Sequence, residues 1–379
     1  MKTLQLVPAL EQGGVERGIL ESNRVIVAAG WENVVVSAGG RLVAPLEQAG
    51  GRHIKLDVKS KNPLTYFSRA TALRKLLREE RPDVVCAHSR VPAWLFRWAN
   101  RSLALKWITF AHGANSISPY SRVMTTGDLT VTPSRYLADY LKSAYNLAEE
   151  KIRVIDRAVD QDRFDPARLD AAFMNEKRAA WGLDGAFVLM GVGRITQLKG
   201  YDVLIRALAE LCRGAAPKGY PKGWRLVIVG EAEALRADVA LSLRKLADDL
   251  GVTQKVVFAG NQARIAECLS LANVVVSSNV RKGEAFGRSM AEALAMGRPV
   301  VAKAFGGAKD IVRDGRDGFL VAAANPDDAT ATAQEFASAI RRVSETTFGD
   351  LRTEALQRFS YSEMAEKTLS VYREVAKLS

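Results

Sequence analysis

Two carboxylates, Glu284 and Glu292, bracket Ala285-Phe286-Gly287 and the start of a helix. The segment follows Val274-Val275-Val276, an apolar run that reads as a buried strand. Strand, glycine turn and helix start together make an anion site, because the N–H groups of a first helical turn are unpaired and point outward. Gly287 has no side chain to keep a phosphate from them. Two carboxylates beside a bare phosphate would repel it. They fit if each accepts hydrogen bonds from hydroxyls on either side of a diphosphate, which is the layout of a nucleotide sugar. The same residues also suit a surface helix whose acidic residues complement its dipole.

Gly191-Val192-Gly193-Arg194 closes another apolar run, and Lys199-Gly200 opens the helix after it. Arg194 offers planar, two-pronged contacts and Lys199 a point charge, so the two would clamp a diphosphate at a glycine turn. Gly13-Gly14-Val15-Glu16 is a third glycine loop at a helix start. His112-Gly113 directly follows the strand Trp107–Phe110, and His88 follows another strand; the remaining histidine is His53. A structural imidazole is the competing reading for each. Position at a strand end makes His112 the stronger candidate. Asp160-Gln161-Asp162 could pass for a metal-binding pair, but Arg157 and Arg163 flank it, and no Cys/His group has zinc spacing. No metal or cofactor is expected. The Gly-x4-Gly-Lys-Ser/Thr phosphate loop is absent, which argues against ATPase chemistry.

The elements that must carry these residues alternate along the chain. Strands are expected at Leu4–Val7, Val34–Ser37, Asp83–Ala87, Trp107–Phe110 and Leu129–Thr132, with helices at 15–29 and 70–80. A second series runs from Phe187–Gly191 through Tyr201–Leu211, Arg225–Val229, a helix at 234–250, Val256–Ala259, Val274–Ser277 and Pro299–Ala302. Repeated strand–helix units imply parallel sheets covered by helices, and 379 residues are too many for one core. Two consecutive doubly wound domains follow, with ligands at the carboxyl ends of the strands and a cleft expected between the domains. The junction is expected near Val159–Phe173, and 361–378 reads as an amphipathic helix.

The net charge is +12. Residues 1–160 carry 23 Lys and Arg against 15 Asp and Glu, so this part holds most of the excess. A basic first half suits an anionic partner, although charge for solubility alone would look the same. Three separated cysteines point to a reducing compartment without disulfides. No signal-peptide h-region follows Met1, and no run approaches the roughly 18 apolar residues that span a bilayer. A cytoplasmic protein is expected, with peripheral contact at the inner membrane.

Taken in order, these segments resemble the retaining glycosyltransferases of family 4, which have the GT-B fold. The resemblance covers nearly the whole chain. It rests on Gly13-Gly14-Val15-Glu16-Arg17, His112-Gly113, Val192-Gly193-Arg194 through Lys199-Gly200-Tyr201-Asp202, and Glu284-Ala285-Phe286-Gly287 through Glu292-Ala293. Gly297-Arg298-Pro299-Val300-Val301, Gly306-Gly307 and Asp317-Gly318-Phe319-Leu320-Val321 continue it. Where the family often has Pro-Asn-Gly-Val-Asp, this chain has Asp156-Arg157-Ala158-Val159-Asp160; Asp310 stands where Glu is usual, and Ser277-Ser278-Asn279 replaces a common Pro-Ser.

The resemblance implies roles. Arg194 and Lys199 would hold the donor diphosphate and stabilise the leaving group, helped by the N–H groups near Phe286 and Gly287. Glu284 would bind donor-sugar hydroxyls and Glu292 the ribose. His112 would contact the donor sugar near its anomeric carbon, and Gly14 would lie by the phosphates. It also implies a cleft between an acceptor domain (1–165, with a C-terminal helix at 360–379 crossing back to it) and a donor domain (166–359). The expected activity is metal-independent, retaining transfer from a UDP- or GDP-linked sugar to a bacterial surface glycan, such as lipopolysaccharide core or a lipid-linked precursor. His88-Ser89-Arg90, Pro92-Ala93-Trp94 and Tyr120-Ser121-Arg122-Val123-Met124 carry that last likeness. Trp94, Trp98 and Trp107 would either assist membrane docking or pack inward, with packing favoured. A degenerate scaffold, a phosphorylase and a nucleotide-sugar epimerase are the rivals. Nucleic acid is not expected as a partner, since no recognition motif accompanies the charge.

Overall fold

The computed structural model describes residues 1–11, 13–232, 237–279, 281, 283–323, 325 and 328–377. The chain divides into two compact units, Met1–Arg157 with Tyr361–Ser379, and Ala158–Ser360. Residues 158–165, read from sequence as the end of the first domain, pack with the second unit. Val159 N–H donates to Phe359 O at 3.0 Å, and Phe164 is buried in that unit's core.

The first unit runs β1 (Lys2–Leu6), α1 (Gly14–Ala28), β2 (Glu32–Ser37), α2 (Val43–Gln48), β3 (Arg52–Lys55), α3 (Tyr66–Glu80), β4 (Val84–Ala87), α4 (Arg90–Ala99), β5 (Trp107–Phe110), β6 (Leu129–Thr132), α5 (Arg135–Tyr145) and β7 (Ile152–Val154). Its sheet has the order β3-β2-β1-β4-β5-β6-β7, and every pairing is parallel. The sequence reading missed β3 and β7, the two edges. Each is three or four residues long and only partly buried, so it lacks the apolar run that marks the interior strands.

The second unit runs α6 (Ala171–Ala180), β8 (Phe187–Val192), α7 (Tyr201–Arg213), β9 (Trp224–Val229), α8 (Ala237–Asp249), β10 (Val256–Gly260), α9 (Ile265–Ser270), β11 (Val274–Ser277), α10 (Arg288–Ala295), β12 (Val300–Lys303), α11 (Ala308–Ile311), β13 (Gly318–Val321), α12 (Ala329–Glu345) and α13 (Leu351–Arg358). Residues 234–236 of the expected helix lie outside the described residues. The parallel sheet has the order β10-β9-β8-β11-β12-β13. Both of its faces are covered, which is why its strands are continuous apolar runs. Leu189, Leu226, Ile228 and Val276 face one core, while Val188, Met190, Val227 and Val275 face the other.

The last helix, α14 (Tyr361–Lys377), belongs to the first unit. Met364, Thr368, Val371, Tyr372 and Val375 form its buried stripe at helical spacing, and it packs on α1 and β4. Arg153 Nε donates to Glu374 Oε2 at 3.1 Å and ties the helix to β7. Leu378 of the expected helix is outside the described residues. Among the described residues, two parallel-sheet Rossmann-like units of seven and six strands fit the GT-B fold.

Candidate active site

In the second unit the strand order reverses between β8 and β11, so the loops that follow them leave the sheet side by side. That neighbourhood joins residues 85 positions apart. Lys199 Nζ, after β8, pairs with Glu284 Oε1, after β11. Asn279 Nδ2 donates to the same carboxylate oxygen at 2.8 Å. The two charged side chains are 27% and 17% exposed, so water screens the pair only in part.

The main chain around the pair is fixed. Ser278 Oγ donates to Lys199 O at 2.9 Å, and Gly307 N–H donates to Glu284 O at 2.8 Å. Gly193 adopts φ 143°, and a Cβ there would stand 3.0 Å from Lys199 Cε; the lysine stem crosses the space a side chain would fill. Tyr201 OH donates to Gly193 O at 2.9 Å. Burial, reinforced by the Glu284 charge, pushes the Tyr201 phenol well above its usual range, so it stays a neutral donor. Arg281 ties the two loops together. Its Nη1 donates to Gln197 O at 2.9 Å, and it meets Asp202 two-pronged at 3.1 and 2.8 Å. Sequence reasoning did not single out Arg281, and it noted Asn279 only as a departure from the family.

Among the other expected donor residues, Arg194 is exposed on the loop after β8. Gly287 caps α10, Phe286 is buried against Phe359, and Ala285 is half-buried. Glu292 lies inside α10, 8% exposed, with Oε1 3.8 Å from Arg288 Nε. The structure thus brings Gly193, Lys199 and Glu284 together, with Arg194 on the first loop and Glu292 on the helix that follows the second.

In the first unit, Gly13 precedes α1, Gly14 opens it, and Glu16 lies in its first turn. His88 and His112 follow β4 and β5, neighbouring strands, and their rings meet: His88 Nδ1 and His112 Nε2 are 3.0 Å apart. Arg157 Nη2 lies 2.9 Å from His112 Nδ1. A guanidinium only donates, so His112 Nδ1 must accept and its proton must sit on Nε2. That Nε2–H then donates to His88 Nδ1, which places the His88 proton on Nε2. The His88 ring also stacks on Phe110 at 4.5 Å. Burial, then the Arg157 charge, lowers His88 to about 3; the same two causes, followed by His88, hold His112 well below the usual imidazole value. Both rings are therefore neutral at pH 7. Their Nδ1 and Nε2 commitments mean that the His112 ring has no nitrogen left for a substrate proton.

Beside the two rings lies a cavity of about 310 Å³, lined by Glu16, His88, Ser89, Arg90, His112 and Asn115 among others. Arg90 Nη1 donates to Ser121 Oγ at 3.1 Å, and the guanidinium lies 5.4 Å over the Tyr120 ring. Trp107 is buried in the core. Trp94 donates to Tyr120 O at 2.9 Å, and Trp98 lies under Arg74 at 4.4 Å, so the tryptophans pack. Among the described residues no three His, Cys, Asp or Glu side chains gather as metal ligands would, and no helix is long and apolar enough to cross a membrane. Cys86, Cys212 and Cys268 are free thiols.

Residues 186–345 match the family described as Glycosyl transferases group 1, and residues 12–163 match Glycosyltransferase Family 4. A D-inositol 3-phosphate glycosyltransferase of Stackebrandtia nassauensis is 34% identical over 314 residues, 76% of this chain and 68% of that protein. D-inositol 3-phosphate glycosyltransferase 1 of Catenulispora acidiphila is 34% identical over 268 residues, 68% of this chain. That match spans 60% of the relative's length, and three others of the same kind span 54–57% of theirs. Among solved structures, a glycosyltransferase from Rickettsia africae superposes with a TM-score of 0.83 at 28% identity, covering 100% of this chain and 99% of that one.

Proposed function

The chain belongs to the group 1, family 4 glycosyltransferases, and from that premise we propose that it transfers a sugar from a UDP- or GDP-linked donor to a hydroxyl of an anionic acceptor, with retention and without a metal. The observation that carries this reading is the Lys199–Glu284 pair beside Gly193, at the reversal point of a parallel sheet. An incoming diphosphate would draw Lys199, with Arg194, onto its oxygens. Glu284, still steadied by Asn279, would then accept hydrogen bonds from the sugar hydroxyls, and Glu292 from the ribose.

As the bond from the anomeric carbon to the phosphate oxygen breaks, its electron pair goes to the diphosphate, where Lys199 and Arg194 stabilise the charge. The acceptor oxygen bonds to the anomeric carbon on the same face, and its proton passes to the leaving phosphate oxygen. No protein base is needed. That agrees with a His112 ring whose two nitrogens are already committed, which leaves its main-chain carbonyl for the donor sugar.

For the acceptor, the basic first 160 residues favour a negatively charged molecule. A bacterial surface glycan held at the inner membrane face, such as lipopolysaccharide core, is our reading. The names of the aligned relatives favour a second, an inositol phosphate. Titration with UDP, GDP and ADP in EDTA tests the donor site. Tight binding of one nucleotide is expected, and binding of none would sink the proposal. Donor turnover with an inositol phosphate and with a deacylated core glycan then separates the two acceptors. Donor epimerised without acceptor would point instead to an epimerase.

A further inference from the structure

Helix α14 follows the whole of the second unit in sequence, yet it packs in the first. One of its side chains, Tyr372, is fully buried on the face of the sheet that carries the histidine pair. Cys86 lies on β4 and His88 just beyond it; Phe110 lies on β5 and His112 just beyond that. Residues two apart share a face of a sheet, so each histidine has one neighbour behind it. Tyr372 meets both neighbours. Its hydroxyl lies beside the Cys86 thiol, and its ring is 6.5 Å from the Phe110 ring at a tilt of 38°. Phe110 in turn stacks on His88 at 19° and lies 6.2 Å from His112 at 21°.

The same helix closes on the other end of the pair. Met364 and Thr368, two turns and one turn before Tyr372, share a space of only about 20 Å³ with His112, Arg157 and Ser22 of α1. Thr368 Oγ1 donates to Met364 O at 2.7 Å, so it does not compete with Arg157 for His112. The His88 ring has one directional tie, to His112, and its Nε2 meets no partner. A ring held by one hydrogen bond can still turn about it. The Phe110 face stops that turn, and Phe110 keeps its own angle because Tyr372 backs it. The Tyr372 hydroxyl adds nothing to this. It is buried without a well-aligned partner, and burial keeps it and the Cys86 thiol neutral, the thiol pushed up to about 12. What the site uses is the plane of the ring.

We propose that Tyr372 is a positioning residue for the histidine pair: through Phe110 it fixes the plane of His88, and with it the His88–His112 hydrogen bond and the main chain at His112. The run of donors that starts at Arg157 is then held at both ends, by the guanidinium at one and by a stack of rings at the other. A side chain from the last helix thus completes a site whose other parts come from residues 88–157. The consequence for transfer rests on the role given to His112 above. The geometry of the pair does not, and it is measured apart from activity.

The test compares Tyr372→Leu, Tyr372→Phe and Cys86→Val in the full chain. Nitrogen-resolved NMR of the imidazoles, with Overhauser contacts from Phe110 to the His88 ring, reads the pair directly. In Tyr372→Leu the Phe110 contacts should weaken and the single His88 tautomer should give way to a mixture. Tyr372→Phe keeps the ring and should keep the parent pattern. Cys86→Val adds a methyl where the phenol lies and suits a strand, so it should move the signals as Tyr372→Leu does, with α14 untouched. It decides the matter if Tyr372→Leu does not fold. Transfer is measured to whichever of inositol phosphate and deacylated core glycan accepts the sugar. Its kcat should fall about tenfold in Tyr372→Leu and return in Tyr372→Phe. Calorimetric affinity for the nucleotide, a property of the second unit, should change by less than about twofold. Parent-like imidazole signals in Tyr372→Leu, or in Cys86→Val where the former is unfolded, overturn the proposal. So does a Tyr372→Phe as impaired as Tyr372→Leu, which would assign the role to the hydroxyl. If neither acceptor takes a sugar, the functional reading falls, while the imidazole signals still decide this one.

Discussion

The guanidinium of Arg157 sits 2.9 Å from Nδ1 of His112 and thereby decides where the protons lie on two imidazoles. Its place is made by an absence. A Cβ on Gly18 of α1 would come within 2.4 Å of Arg157 Nη1. Helix α1 therefore leaves a slot that the arginine fills, and the chain of donors Arg157, His112, His88 runs in one direction only.

Removing the arginine should break that order. In Arg157→Met, His112 Nδ1 loses its donor and the ring can take either tautomer. Nitrogen-resolved NMR of the ring, assigned with His53→Gln and His88→Asn, should show Nε2–H on His112 in the parent and a mixture in the variant. Transfer should fall about tenfold to a hundredfold, because an unheld ring no longer fixes the position of the main chain at His112. Gly18→Ala should do the same with Arg157 still present, and Ala is favoured over Gly in a helix, so folding is kept. A parent that already shows mixed tautomers would refute the one-way chain.

Stability should fall as acid is added, well before the carboxylates titrate. The imidazoles of His88 and His112 are held neutral in the folded protein, with His88 at about 3, whereas an unfolded histidine protonates near 6.5. The unfolded chain therefore binds more protons below pH 6.5, and stability present at pH 7 is lost as pH falls towards 4. At pH 5 the loss is roughly 2 kcal/mol for a buried imidazole such as His88. His53, lowered by burial, adds in the same direction. His88→Asn keeps an acceptor for His112 and removes one titrating group, so melting temperature plotted against pH from 7 to 5 should be shallower in that variant. Parallel curves would show that His88 titrates normally in the folded state.

The alternation of apolar runs with helical periods was enough to place both sheets, because strands buried on both faces leave an unbroken mark such as Val274-Val275-Val276. The reversal of strand order then carries Lys199 to Glu284, two residues read from separate loops whose pairing neither loop announces by itself. What stayed hidden has common causes. β3 and β7 are short edges with mixed burial. Arg281 acts through a main-chain oxygen and a carboxylate some 80 positions away, and nothing local marks such a partner. Arg157 looked like a mere departure from the family pattern; its meaning depends on a gap at Gly18 on a different element. The tryptophans were read in the right sense, since packing was the favoured reading and Trp94, Trp98 and Trp107 pack. The large apolar residues that do stand exposed, among them Leu64, Phe67, Ile117 and Leu241, carry no mark in composition that separates them from others of their type.

The ion pair of Lys199 with Glu284 predicts opposite effects on nucleotide and on transfer. In the free protein the carboxylate competes with a diphosphate for the ammonium. Glu284→Gln removes the competitor and keeps the shape, so affinity for the nucleoside diphosphate alone should hold or tighten by up to about tenfold, roughly 1.4 kcal/mol. Transfer should nonetheless drop a hundredfold or more, since the sugar loses a charged acceptor for its hydroxyls. Lys199→Ala should weaken both. Calorimetry beside initial rates decides it: nucleotide affinity falling in Glu284→Gln as far as in Lys199→Ala would mean the carboxylate acts on the phosphate side.

Arg281 should matter for donor capture more than for the chemical step. Its guanidinium joins Gln197 O to the Asp202 carboxylate, and Gln197 lies two residues before Lys199. Without it the loop that carries Lys199 loses one of its ties to the loop that carries Glu284, beside the Ser278–Lys199 bond, and ordering that loop becomes part of the cost of binding. Arg281→Ala should therefore raise KM for the donor about tenfold while changing kcat less than threefold. Arg281→Lys should not restore KM, because one ammonium cannot reproduce the two-pronged contact with Asp202 while also reaching Gln197 O. A fall in kcat with KM unchanged would instead place Arg281 at the reacting centre.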